Sequence, residues 1–182
     1  MRKMILTSAG FDNPRISEVT ISLLSEHISK CKILFITSAA ETDDQFKMLS
    51  LCKQEILDLG VTENQIDTYD FEYLLTPKEI VHYNLMYVAG GSTKKLLDKM
   101  CNWKETLDCF LDNQGLVVGV SAGSIAMTST YENGLKYLDC NLSVHQAVGS
   151  IEGTVNFDAH RDLCLNDEQA ILVMDEEITI FK

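Results

Sequence analysis

The segment Gly115-Leu116-Val117-Val118-Gly119-Val120-Ser121-Ala122-Gly123-Ser124 joins an apolar run to a cluster of small residues. The β-branched valines predict a buried strand, and Ala122, Ser124 and Ala126 are small enough to open a helix directly behind it. Gly119-Val120-Ser121-Ala122-Gly123 fills the G-x-S-x-G pattern of a nucleophile elbow. The spacing has a steric origin. A serine on a sharp strand-to-helix turn is strained, and side chains two residues to either side would crowd it. Its hydroxyl is lifted above the strand end, beside backbone N–H groups that can stabilise an oxyanion.

The same alternation of elements extends toward the N-terminus. Short apolar runs at residues 3–7, 32–37, 65–69 and 84–89 predict strands. Between them, helical spacing runs from Arg15 to Ser29 behind Pro14, and from Asp43 to Leu59, closed by Gly60. Thr76 and Glu79 form a capping-box pattern, and helices are expected over Thr93–Met100 and Lys104–Asp112. Strands alternating with amphipathic helices predict one α/β domain over residues 1–182, a parallel sheet with helices on both faces. Ligands of such sheets bind beyond the carboxyl ends of the strands, here the loops at Ser8–Asn13, Ser38–Thr42, Gly90–Thr93 and Ser121. After about residue 130 the regularity fades. Residues 131–143 read as loop, 144–157 as one or two strands, and 170–174 with 178–181 as a hairpin around Asp175-Glu176-Glu177.

Composition narrows the function classes. With 27 acidic against 15 basic residues the net charge is −12, which argues against a nucleic-acid partner. No apolar stretch is long enough for a signal h-region or a membrane span. Six scattered cysteines without C-x-x-C spacing read as reduced thiols, so a cytoplasmic location is expected, with no cofactor and no metal.

A serine nucleophile needs a base, normally histidine. His27 and His82 fall on predicted surface helices, which leaves His145 and His160. Position favours His160, directly after an apolar segment, while the placement of His145 in Ser143-Val144-His145-Gln146 is not fixed by pattern. One oxyanion donor is expected from the N–H of Ala122, the other from the loop Ala89-Gly90-Gly91-Ser92, where glycine lets backbone approach a substrate.

Three motifs together resemble the dipeptidase E (aspartyl dipeptidase) family of serine peptidases: Tyr87-Val88-Ala89-Gly90-Gly91-Ser92-Thr93, Gly119-Val120-Ser121-Ala122-Gly123-Ser124 and Asn156-Phe157-Asp158-Ala159-His160. The resemblance implies a flavodoxin-like, class I glutamine amidotransferase-like three-layer sandwich. It further implies Ser121 as nucleophile, His160 as base, and the N–H groups of Gly91 and Ala122 as oxyanion hole. The triad acid is left open among Glu132, Asp139, Asp158 and Glu176. Small peptides, including dipeptides with N-terminal Asp, are the implied substrates. Aspartyl specificity needs a cation, for which Arg161 and then Arg15 are candidates, with Gly90 and Ser92 also facing substrate. Two other readings accompany this one: an esterase-like hydrolase, and a degenerate relative that binds a small ligand or partner.

Overall fold

The computed structural model describes residues 1–155 and 161–182. Its central strands are buried on both faces, so they read as continuous apolar runs, and their side chains divide by period two. In β4 (Leu85–Val88), Leu85 and Tyr87 join one core cluster while Met86 and Val88 join the other. The first cluster is covered by α1 (Pro14–Leu23) and α2 (Asp43–Asp58), through Ile16, Cys52 and Ile56. The second is covered by α3 (Pro77–Ile80), α4 (Thr93–Met100), α5 (Lys104–Asp112) and α6 (Ala122–Ala126). The expected three-layer α/β arrangement is therefore the observed one.

The remaining strands are β1 (Lys3–Thr7), β2 (Ile33–Ile36), β3 (Ile66–Tyr69), β5 (Leu116–Val120), β6 (Cys140–Ser143), β7 (Gly153–Val155), β8 (Arg161–Cys164), β9 (Ala170–Met174) and β10 (Glu177–Phe181). The main sheet has the order β3-β2-β4-β5-β1-β9-β10-β7. It is parallel from β3 through β1, then antiparallel from β9 outward. The order places β5 between β4 and β1, so the loops after all three strands open on one edge.

The expected Thr76–Glu79 capping box is present, the Thr76 N–H donating to Glu79 Oε2 at 2.9 Å, and two further helix starts are capped. Asn13 accepts from the Arg15 N–H at 3.0 Å ahead of Pro14. Thr42 and Gln45 form a reciprocal capping box on α2. Helix α1 is shorter than its periodicity suggests. Leu24 is extended, and the Lys3 ammonium caps the Leu23 carbonyl at 2.6 Å. Ile28 reaches the same core from a separate 3-10 turn, which is why the apolar spacing outlasts the helix. The 131–143 stretch is not all loop. Its end forms β6, paired in parallel with β8 as a second small sheet, Cys140 opposite Arg161 and Ser143 opposite Cys164. Among the described residues no helix is long and apolar enough to cross a membrane.

Trp103 anchors the α5 side. It is 1% exposed, lies against Tyr69 and Phe71, and donates from Nε1 to the Leu75 carbonyl at 3.3 Å. Trp103→Ala should cost about 3–5 kcal/mol, read as a lower midpoint in denaturant melts followed by circular dichroism.

Candidate active site

Ser121 occupies the turn between β5 and α6 with φ +49° and ψ −108°, a conformation L-residues rarely adopt. Its surroundings over-determine it. The Ser121 N–H donates to the Thr7 carbonyl at 3.0 Å. Ser124 Oγ sits 2.7 Å from the Thr7 carbonyl and 2.8 Å from that of Gly119, tying helix to both strands. A Cβ on Gly123 would lie 2.2 Å from the Val88 carbonyl, and one on Gly119 would lie 2.8 Å from the Ser124 nitrogen. Both glycines of the elbow are thus required by close packing.

The side chain facing the nucleophile is His145. Its Nε2 lies 3.1 Å from Ser121 Oγ, and its Nδ1 lies 2.7 Å from Asp167 Oδ1. With Asp167 ionised, Nδ1 carries the proton and donates it to the carboxylate, leaving the Nε2 lone pair toward the serine hydroxyl. Ser8, fully buried after β1, completes the array. Its hydroxyl donates to Asp167 Oδ1 at 2.8 Å and accepts the His145 N–H at 2.7 Å. The Ser8 hydrogen bond, and then the His145 ring, hold the Asp167 carboxyl below its ordinary range. His145, like Ser121, has positive φ, at +56°.

The small sheet explains how two residues 22 apart reach one serine. Strands β6 and β8 run in parallel, and His145 and Asp167 follow their carboxyl ends. The Leu165 N–H donates to Ser143 and the Gln146 N–H to Leu165, stitching the two exits together. Neither partner was the residue that position favoured. The histidine beside Ser121 is His145, whereas His160 and Asp158 lie outside the described residues. Of the other proposed acids, Asp139 accepts from Ser129 Oγ at 2.9 Å, Glu132 is exposed, and Glu176 lies exposed between β9 and β10. Asp167 carried no motif. Its usable signal was a polar turn, Asn166-Asp167-Glu168, ahead of the apolar β9. For His145 it was the buried-exposed alternation of β6 immediately before it.

Gly90 and Gly91 flank the nucleophile. A Cβ on Gly90 would approach Ser121 Cβ to 3.2 Å. Gly91 has φ +139°, and a Cβ there would lie 2.3 Å from the Ala39 carbonyl, so only glycine fits. The Ser92 N–H donates to that carbonyl at 2.8 Å. Ser92 Oγ caps α4 by accepting the Lys95 N–H at 3.3 Å, which gives it a structural task. The cleft in front of Ser121 has a volume of about 520 Å³, and Gly90, Gly91 and His145 line it. Neither Arg15, exposed on α1, nor Arg161, exposed on β8, is among its lining residues.

The chain matches the model of Peptidase family S51 over residues 4–149. It superposes on a peptidase E candidate from Listeria monocytogenes EGD-e with a TM-score of 0.69 and 18% identity, covering 100% of this chain and 98% of that one. A peptidase from an acI-B1 Actinobacterium superposes with a TM-score of 0.64 and 14% identity, covering 100% and 87% of the two chains. At these identities the likeness is one of fold. No curated protein matches the chain.

Ser8→Ala removes one hydrogen bond to the Asp167 carboxylate and one from the His145 backbone. A charge-assisted bond of this kind contributes about 1.5–3 kcal/mol, so kcat should fall roughly ten- to a hundredfold with KM nearly unchanged. Lowering pH should also destabilise the wild type through Asp167. Its folded pKa is depressed, so its contribution is present at neutral pH and is lost as pH falls through that lowered value. The Ser8→Ala melting temperature should depend less on pH in the acid range.

Proposed function

We propose, on the premise that this chain belongs to peptidase family S51 and is a serine-type peptidase, that it hydrolyses small peptides through an acyl-enzyme on Ser121. The observation that carries this reading is one continuous relay: Ser121 Oγ to His145 Nε2 at 3.1 Å, and His145 Nδ1 to Asp167 at 2.7 Å. His145 takes the hydroxyl proton as Ser121 Oγ attacks the scissile carbonyl. Asp167 stays ionised, fixes the ring and stabilises the imidazolium. The backbone N–H groups of Gly91 and Ala122 are the donors for the oxyanion, worth about 3–4 kcal/mol each where such donors have been removed. The imidazolium then protonates the leaving amine. Water, deprotonated by the same nitrogen, releases the acid and regenerates Ser121.

The size of the cleft supports a short substrate, since small-ligand sites span about 300–1,000 Å³. The N-terminal aspartyl preference implied by family resemblance would need a cation in the cleft, and the two arginines considered for that task do not line it. An ester could use the same relay. A binding protein that had lost catalysis would have no need to keep two strained residues, Ser121 and His145, in register.

A fluorophosphonate probe should label wild-type protein at Ser121, and Ser121→Ala should abolish both labelling and peptidase activity. His145→Ala and Asp167→Asn should each lower kcat by about three to four orders of magnitude, while His160→Ala should stay within about twofold of wild type. Wild-type activity in His145→Ala would overturn the assignment of the base.

A further inference from the structure

Part of the lining of the cleft is acidic. Asp12 in the loop after β1, and Glu55 and Asp58 on α2, line it, beside the apolar Met48, Leu49 and Leu51. No lysine or arginine is among the lining residues. Among the described residues no ion pair is made by any of these three carboxylates. Nor do they form, among the described residues, a group arranged to hold a metal ion.

Glu55 is the built member of the set. Its Oε2 accepts from the hydroxyl of Tyr87 at 2.6 Å, and Tyr87 is fully buried between Phe11 and Phe35. Gly10, at φ +73°, brings the loop after β1 so close that a Cβ would lie 2.4 Å from Glu55 Oε2. Burial pushes the Glu55 carboxyl up, against the Tyr87 hydrogen bond, and the charges of Asp12 and Asp58 add to the rise. A desolvated carboxylate faced by like charges is stabilised by meeting a cation. The neighbouring methionine and leucines offer an apolar surface along which an alkyl stem can lie with its charged end at the carboxylates.

We propose that the Asp12–Glu55–Asp58 wall selects peptides whose acyl-side residue carries a positive charge, and that it rejects acidic ones. This rests on Ser121 being the acylated residue: Glu55 and Ser121 line one cleft, and the wall is assigned to the residue whose carbonyl Ser121 attacks. The cation is a lysyl or arginyl side chain. Glu55 and its two neighbours are specificity residues and take no part in bond making.

The test separates this from the nucleophile assignment by measuring binding without turnover. Calorimetry on Ser121→Ala compares Lys-Ala, N-acetyl-Lys-Ala, Ala-Ala and Asp-Ala. Lys-Ala should bind at least about tenfold more tightly than Asp-Ala. The margin over Asp-Ala should survive in N-acetyl-Lys-Ala, and its loss on acetylation overturns the assignment to the side chain. Adding Glu55→Gln, which keeps an acceptor for Tyr87, should shrink the Lys-over-Asp ratio at least about fivefold, as should Asp12→Asn with Asp58→Asn should the first variant misfold. Asp-Ala binding as tightly as Lys-Ala, or a ratio untouched by these changes, overturns the proposal. Failure of the wild type to react with fluorophosphonate would instead strike the nucleophile, leaving the binding result to stand alone.

Discussion

Everything at the site depends on one crowded junction, where the end of β5 turns into α6 with no room for a side chain beyond hydrogen. Val88 approaches the Gly123 position so closely that any Cβ there would meet its carbonyl, and Ser124 bridges the carbonyls of two adjacent strands. The junction holds Ser121 at a positive φ that the residue would not choose alone. The energy stored in that turn is offset by the packing of three parallel strands, so the nucleophile is only as well placed as β4, β5 and β1 are well aligned.

Around this rigid point the protein uses a separate device to deliver proton-transfer groups. The short β6–β8 ladder is mostly exposed on one side, yet it carries His145 and Asp167 forward together. Ser8, from the end of β1, touches both. Main sheet and minor sheet therefore meet at a hydroxyl that is itself no part of the bond-making chemistry. Gly90 and Gly91 border the same cleft on a loop that the Ser92 N–H pins to the Ala39 carbonyl.

How much of this the sequence discloses follows from how local each feature is. The elbow, the glycine loop, the helix caps and the alternating parallel strands are written in neighbouring residues, and their physics is steric or a matter of one turn of helix. The partners of Ser121 are not. His145 and Asp167 become neighbours only through a parallel pairing of two four-residue strands, and such pairing leaves no mark in either strand alone. His160 sits beside a recognisable motif and His145 beside a weak alternation, so pattern favours His160, which lies outside the described residues, while the histidine seen beside Ser121 is His145. Asp167 was missed because an aspartate in a polar turn looks like solvent-facing connection. The acidic wall was equally invisible, since Asp12 and Glu55 are 43 residues apart and meet only where the Gly10 loop folds onto α2.

The position of β1 bears on the order in which the peptidase is assembled. It precedes the other described strands along the sequence, yet its two neighbours are β5 and β9, with Thr7 opposite Val120 on one side and Ala170 on the other. Contacts so distant along the chain close late and slowly. A chain still being synthesised can possess its nucleophile, its glycine loop and its specificity wall while the carboxylate behind His145 has yet to be made. The carboxylate beside His145 is carried by the chain that pairs with β1 through β9, so the array at Ser121 depends on that distant closure.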